Sequence, residues 1–151
     1  VDAAGYPPGE VPPLFRVARA PVIGPLLARI GPRWLYEQNL RSVYVDQAQV
    51  TPALVDRYAE LARRAGNRQA FLDRALTVET FPFDSLRALR APTLVLWGAR
   101  DPWIPVAMAD TFAAYVPGAR VVKYPDVGHL PMEEAAEASA RDARAFLLGG
   151  R

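Results

Sequence analysis

Two apolar runs constrain this chain more than anything else in it. Thr93-Leu94-Val95-Leu96-Trp97 is continuously apolar and ends at Gly98, and Ala119 to Tyr124 forms a second run that ends at Pro125. An unbroken apolar run of this length is the pattern of a strand covered on both faces, as in a parallel sheet. Between the runs, Pro105 opens a helical pattern with Met108, Phe112, Tyr115 and Val116 inward, closed by Pro117-Gly118. After the second run the spacing predicts a helix from about Glu133 to Leu148, burying Ala136, Ala140, Ala143 and Leu147 and closed by Gly149-Gly150. Strand, helix, strand, helix is a right-handed crossover unit of a parallel sheet. Two such strands cannot cover both faces and leave no open edge. The expectation is therefore a portion of something about twice this length, with the rest of the sheet supplied by upstream sequence or by another chain.

The remainder reads differently. Val1-Asp2-Ala3-Ala4-Gly5-Tyr6-Pro7-Pro8 reads as a strand end running into a Pro-rich linker through Pro13. From about Val11 to Leu76 the periodicity is helical. Phe15, Ala18 and Val22 give a short stripe before Gly24-Pro25. Tyr36, Leu40, Val43 and Tyr44 share one face. Thr51-Pro52 is a helix start, a capping hydroxyl followed by Pro at the first helical position. Leu54, Val55, Tyr58, Leu61 and Ala62 then repeat, with Asp56, Arg57, Glu60, Arg63 and Arg64 toward water. Gly66-Asn67 stops that helix and Asn67 can cap the next, whose face is Phe71, Leu72, Ala75 and Leu76. The expected organisation is a strand end and linker over 1–10, a helical subdomain over 11–83 and an α/β segment over 84–151.

Composition narrows the chemistry. The chain has 151 residues, no cysteine, one histidine and a formal net charge of +2. Thiol catalysis, thiolate metal sites and internal disulfides are excluded, as is a multi-histidine metal site. The arginines are scattered, Arg63-Arg64 being the densest pair, so no basic patch for nucleic acid is present. The most apolar stretch, Val11 to Ile30, is broken by Pro21, Gly24 and Pro25 and carries Arg16, Arg19 and Arg29, so a membrane span is not expected. No leader is visible, and the working expectation is a cytoplasmic protein without a cofactor.

In open parallel sheets, function gathers at the carboxyl ends of the strands. The first strand ends in Gly98-Ala99-Arg100-Asp101, and the second leads to Gly128-His129-Leu130-Pro131, which carries the only histidine. Adjacent strands lie about 5 Å apart, so loops from the same ends can bring a carboxylate to an imidazole. An Asp that orients a His, and a His that acts as base, are two members of a nucleophilic triad. Trp103, Ile104, Leu130 and Met132 flank them as candidate walls of an apolar substrate pocket. Glu133 and Glu134 sit where negative charge suits a helix start and are given no catalytic role. The third triad member is missing: no G-x-S-x-G occurs, and Ser42, Ser85 and Ser139 stand in the wrong context.

Ala91-Pro92-Thr93-Leu94-Val95-Leu96-Trp97-Gly98-Ala99-Arg100-Asp101-Pro102-Trp103-Ile104-Pro105 resembles the acid strand and loop of the α/β-hydrolase superfamily. Asp126-Val127-Gly128-His129-Leu130-Pro131-Met132-Glu133-Glu134 resembles its histidine loop. Asp101 matches the triad acid and His129 the triad base, in the family's order of nucleophile, acid, histidine. Val1 to Gly5 resembles the strand after the nucleophile helix, and residues 11 to about 83 resemble the helical cap. The resemblance implies the C-terminal part of an α/β-hydrolase fold with a cap, whose nucleophile and oxyanion loop lie in an N-terminal half upstream of Val1, and a small-molecule substrate. The fragment alone is then expected to be inactive. Some members place the acid after the preceding strand, where Asp2 lies; Asp101 has the better loop context. With Ser as nucleophile the implied reaction is hydrolysis of an ester, lactone or carbon–carbon bond through an acyl-enzyme. With Asp it is opening of an epoxide or haloalkane. Tyr36, Tyr44 and Tyr58 could protonate an epoxide oxygen, but each lies on an apolar stripe and reads as core. Meta-cleavage-product hydrolases often carry Trp after the histidine, where this chain has Leu130. Two other classes stay open: a hydrolase-like binding protein that has lost its chemistry, and a stand-alone helical module that docks on a partner's sheet.

Overall fold

The computed structural model describes residues 1–2, 16, 18–76 and 82–149, with the side chains of 27 and 28 left aside. The expected linker and Phe15 lie outside the described residues. The chain divides into two compact units. One comprises Val1–Pro7, Val43–Asp46 and Thr80–Arg151, and the other Pro8–Ser42 and Gln47–Glu79.

The helical unit contains α1 (Ile23–Ile30), most of α2 (Arg33–Val43), α3 (Pro52–Arg63) and α4 (Asn67–Leu76). Leu40, Val50, Val55, Ala59, Leu72 and Ala75 are buried in it. Thr51 caps α3 as expected, its hydroxyl accepting from the Leu54 N–H at 3.3 Å, with Pro52 at the first helical position. Two expectations fail locally. Gly24-Pro25 does not end a helix but starts α1, where a proline in the first turn lacks only an N–H that would have no helical partner. Val22 is consequently exposed and not part of a buried stripe with Ala18. Asn67 is itself the first residue of α4, and its side-chain amide donates back to the Leu61 carbonyl at 2.7 Å, closing α3.

The other unit is built on β1 (Leu94–Gly98) and β2 (Arg120–Tyr124), a parallel pair in register from Leu94 opposite Arg120 to Gly98 opposite Tyr124. The sequence between them forms α5 (Ala107–Tyr115). Alternation along β1 explains its unbroken apolar run. Val95 and Trp97 face a cluster with Ala109, Ile104, Met108 and Phe112, while Leu96 faces Tyr124, Val127, Ala135 and Ala138. A 3₁₀ turn at Phe83–Ala88 brings Phe83 against Phe112 and Tyr115, each with ring centroids 5.1 Å apart. On the other side, the Asp2 N–H donates to the Leu96 carbonyl at 3.1 Å, so residues 1–2 run beside β1.

The last helical stretch differs from the periodic reading. It is two pieces, α6 (Pro131–Glu134) and α7 (Ala136–Gly149), separated at Ala135. The break resets the phase by about a residue. Ala136, Ala140 and Leu147 are exposed, Ala143 is half-buried as expected, and the other inward positions include Ala135, Ala138, Ser139 and Asp142. The alanine-rich sequence offers little contrast between faces, and the Tyr124 hydroxyl bonded to Asp142 at 2.9 Å turns a polar residue inward.

Candidate active site

The loop after β1 is folded by its own backbone. The Asp101 N–H donates to the Gly98 carbonyl at 3.2 Å. Oδ1 of Asp101 accepts from the Trp103 and Ile104 N–H groups at 2.7 and 3.0 Å, a turn that an aspartate is built to form. That leaves Oδ2, which meets Nδ1 of His129 at 2.7 Å. The Asp101 side chain is fully buried, and the His129 side chain is 20% exposed. Two amides and the imidazole thus compensate the buried carboxylate. An ionised Asp101 fixes the tautomer: Nδ1 carries the proton and Nε2 holds the lone pair. The Trp103 ring lies 5.2 Å from the imidazole, tilted by 37°.

The two loops are joined directly. The Ala99 N–H donates to the Tyr124 carbonyl at 2.9 Å and the Arg100 N–H to Val127 at 3.0 Å. The contact is so close that a Cβ on Gly98 would stand 1.8 Å from the Gly128 carbonyl oxygen.

Residues 1–142 match the family described as the Alpha/beta hydrolase family. The chain belongs to the alpha/beta hydrolase family. The chain is 30% identical to a 2-hydroxy-6-oxo-6-phenylhexa-2,4-dienoate hydrolase of Burkholderia cepacia over 118 residues, 76% of this chain and 41% of that protein. Lipase 3 of Moraxella sp. (strain TA144) is 42% identical over 58 residues, 38% of this chain and 18% of the relative. The crystal structure of a membrane phospholipase A, described as a bacterial virulence factor, matches with a TM-score of 0.70 and 31% identity, over 98% of this chain and 47% of that one. The chain spans about half the length of that solved relative and less of the two curated ones.

Within this alpha/beta hydrolase segment the flanking residues diverge. Trp103 stands beside the imidazole, Ile104 packs into the β1 cluster, Leu130 is half-buried at the start of α6, and Met132 is exposed. Asp2 does not take the imidazole. Its Oδ1 accepts from the Gly98 N–H at 3.0 Å, and burial pushes its carboxyl from an ordinary 3.8 up to about 7. Burial and the bond to Asp142 likewise push the Tyr124 phenol up to about 12.

The residues that sequence reasoning missed are Glu133 and Glu134. Glu134 Oε1 accepts from the Gly128 N–H at 2.8 Å, and Oε2 accepts from the Val45 and Asp46 N–H groups at 2.8 and 3.4 Å. The Tyr44 hydroxyl donates to Glu133 at 2.5 Å, and the His129 N–H donates to the Val43 carbonyl at 3.0 Å. Residues 43–46 and Glu134 therefore clamp the histidine loop. The only advance signal was a pair of acids a few residues beyond the histidine. Among the described residues, no cluster of three or more His, Asp or Glu side chains could hold a metal ion, and no helix is long and apolar enough to cross a membrane.

Proposed function

We propose that this chain is the acid- and histidine-bearing part of a hydrolase of small, fairly apolar esters or related compounds. Asp101 orients His129, His129 is the general base, and the nucleophile is supplied by sequence upstream of Val1. Residues 11–83 serve as the cap, between the strand end and linker of 1–10 and the core segment of 84–151. The observation that carries the reading is the 2.7 Å contact between Asp101 Oδ2 and His129 Nδ1. It leaves Nε2 as a base that can take the proton of a nucleophile hydroxyl as that oxygen attacks the acyl carbon. Asp101, its other oxygen held by two amides, stabilises the imidazolium. Nε2–H then returns the proton to the departing alcohol, and water repeats the cycle on the acyl-enzyme. The likeness to lipases and to 2-hydroxy-6-oxo-dienoate hydrolases supports a hydroxyl nucleophile acting on an ester or a carbon–carbon bond beside a carbonyl.

The test is His129→Ala in the full-length protein, assayed with short-chain p-nitrophenyl esters. Loss of a triad member is expected to lower kcat by about 10⁴-fold or more. Ester hydrolysis left unimpaired would overturn the assignment.

A further inference from the structure

Asp2 is an unusual residue at an informative place. It has φ of +35°, a conformation costly for a side chain other than glycine. It is 6% exposed, and its Oδ2 is buried with no hydrogen-bond partner among the described residues. Its Oδ1 holds the amide of Gly98, the residue whose carbonyl receives the Asp101 N–H. The titratable groups of the fold that act on it are Asp101 from the acid loop and His129 from the histidine loop. An unpartnered buried carboxylate oxygen beside a second carboxylate is expensive as an anion. As an acid it costs far less, and burial already holds the Asp2 proton to about pH 7.

We propose that Asp2 is a positioning residue for the acid turn, bracing Gly98 through one oxygen and carrying a proton on the other, so that the Asp101–His129 pair is assembled beside a neutral group. The proposal rests on the triad reading above. It makes the activity profile depend on two linked ionisations. As pH rises, Asp2 loses its proton and becomes a negative charge near His129. That charge favours the imidazolium, so more base is needed to free Nε2.

The experiment is the pH dependence of kcat/KM for the full-length protein and its Asp2→Asn and Asp2→Ala variants, with His129→Ala as control. Asp2→Asn keeps an oxygen for the Gly98 N–H and removes the titration. Its acid limb is expected to collapse to a single ionisation and to move about half a pH unit lower. Asp2→Ala removes the brace, and its kcat is expected to fall at least about tenfold below that of Asp2→Asn with KM within about twofold. An infrared carboxylic-acid band that titrates near neutral pH and is lost in Asp2→Asn gives a readout independent of turnover, should Asp2→Ala not fold. Superimposable profiles for parent and Asp2→Asn, equal losses in the two variants, or no such band would each overturn the proposal. So would an inactive Asp2→Asn beside an active Asp101→Asn, which would hand the orienting role to Asp2. A fully active His129→Ala would instead sink the triad reading itself, whatever Asp2 does.

Discussion

The two loops that meet at the imidazole are held in opposite ways. The acid turn is made from its own neighbours: Gly98, Trp103 and Ile104 supply the backbone partners of Asp101 within a few residues. The histidine loop is held largely from outside, by the Val43 carbonyl, by Glu134, and through Glu134 by the amides of Val45 and Asp46. A local turn costs little chain entropy to close. A clamp between residues nearly ninety apart in sequence exists only when the surrounding unit is intact. Asp101 is thus placed mainly by a motif, and His129 by tertiary structure.

The largest expected effect comes from a substitution that breaks both sides together. In Gly98→Ala the new methyl group would stand 1.8 Å from the Gly128 carbonyl oxygen and 2.5 Å from that of Val127. These are backbone atoms that cannot swing aside. The loops must part, and a loss of about 3 kcal/mol or more in chemical denaturation is expected, with hydrolysis abolished. A smaller effect separates the two loops. Glu134→Gln offers one acceptor where N–H groups converge on both oxygens, so Gly128 or Val45 loses its partner. The acid turn is untouched. A fall of about tenfold in kcat at nearly constant KM is expected from steady-state kinetics, equivalent to about 1.4 kcal/mol of transition-state stabilisation. An unchanged kcat would mean that the histidine loop holds its own shape as the acid turn does. The smallest effect tests the outer edge of the clamp. Tyr44→Phe removes the hydrogen bond to Glu133 and is expected to cost about 1–2 kcal/mol of stability, with kcat within about threefold.

The same contrast explains what could be read in advance. Strands β1 and β2, the helix between them, the Thr51 cap and the pairing of Asp101 with His129 follow from local signals: apolar runs, a capping hydroxyl, and glycine turns at strand ends. The phase of α7 was misjudged because Ala135 interrupts the helix without any glycine or proline to announce it. The work of Glu133 and Glu134 was invisible for a different reason. Apart from Gly128, their partners Tyr44, Val45 and Asp46 lie in a segment with no chemical signature of its own, and a glutamate at a helix start already has a sufficient explanation in the dipole. Asp2 was weighed as a possible acid from its place after a strand. Its bond to Gly98 could only come from coordinates.

Residues 43–46 have a practical consequence for anyone who would exchange parts of this protein. The chain leaves the helical unit at Ser42, spends four residues in the other unit, and re-enters at Gln47. A transplant that cut only at the outer borders of the helical stretch would carry Val43 and its companions away with the donor. The recipient's histidine would then inherit a foreign carbonyl. A workable graft has to splice at four points, leaving this short native bridge behind.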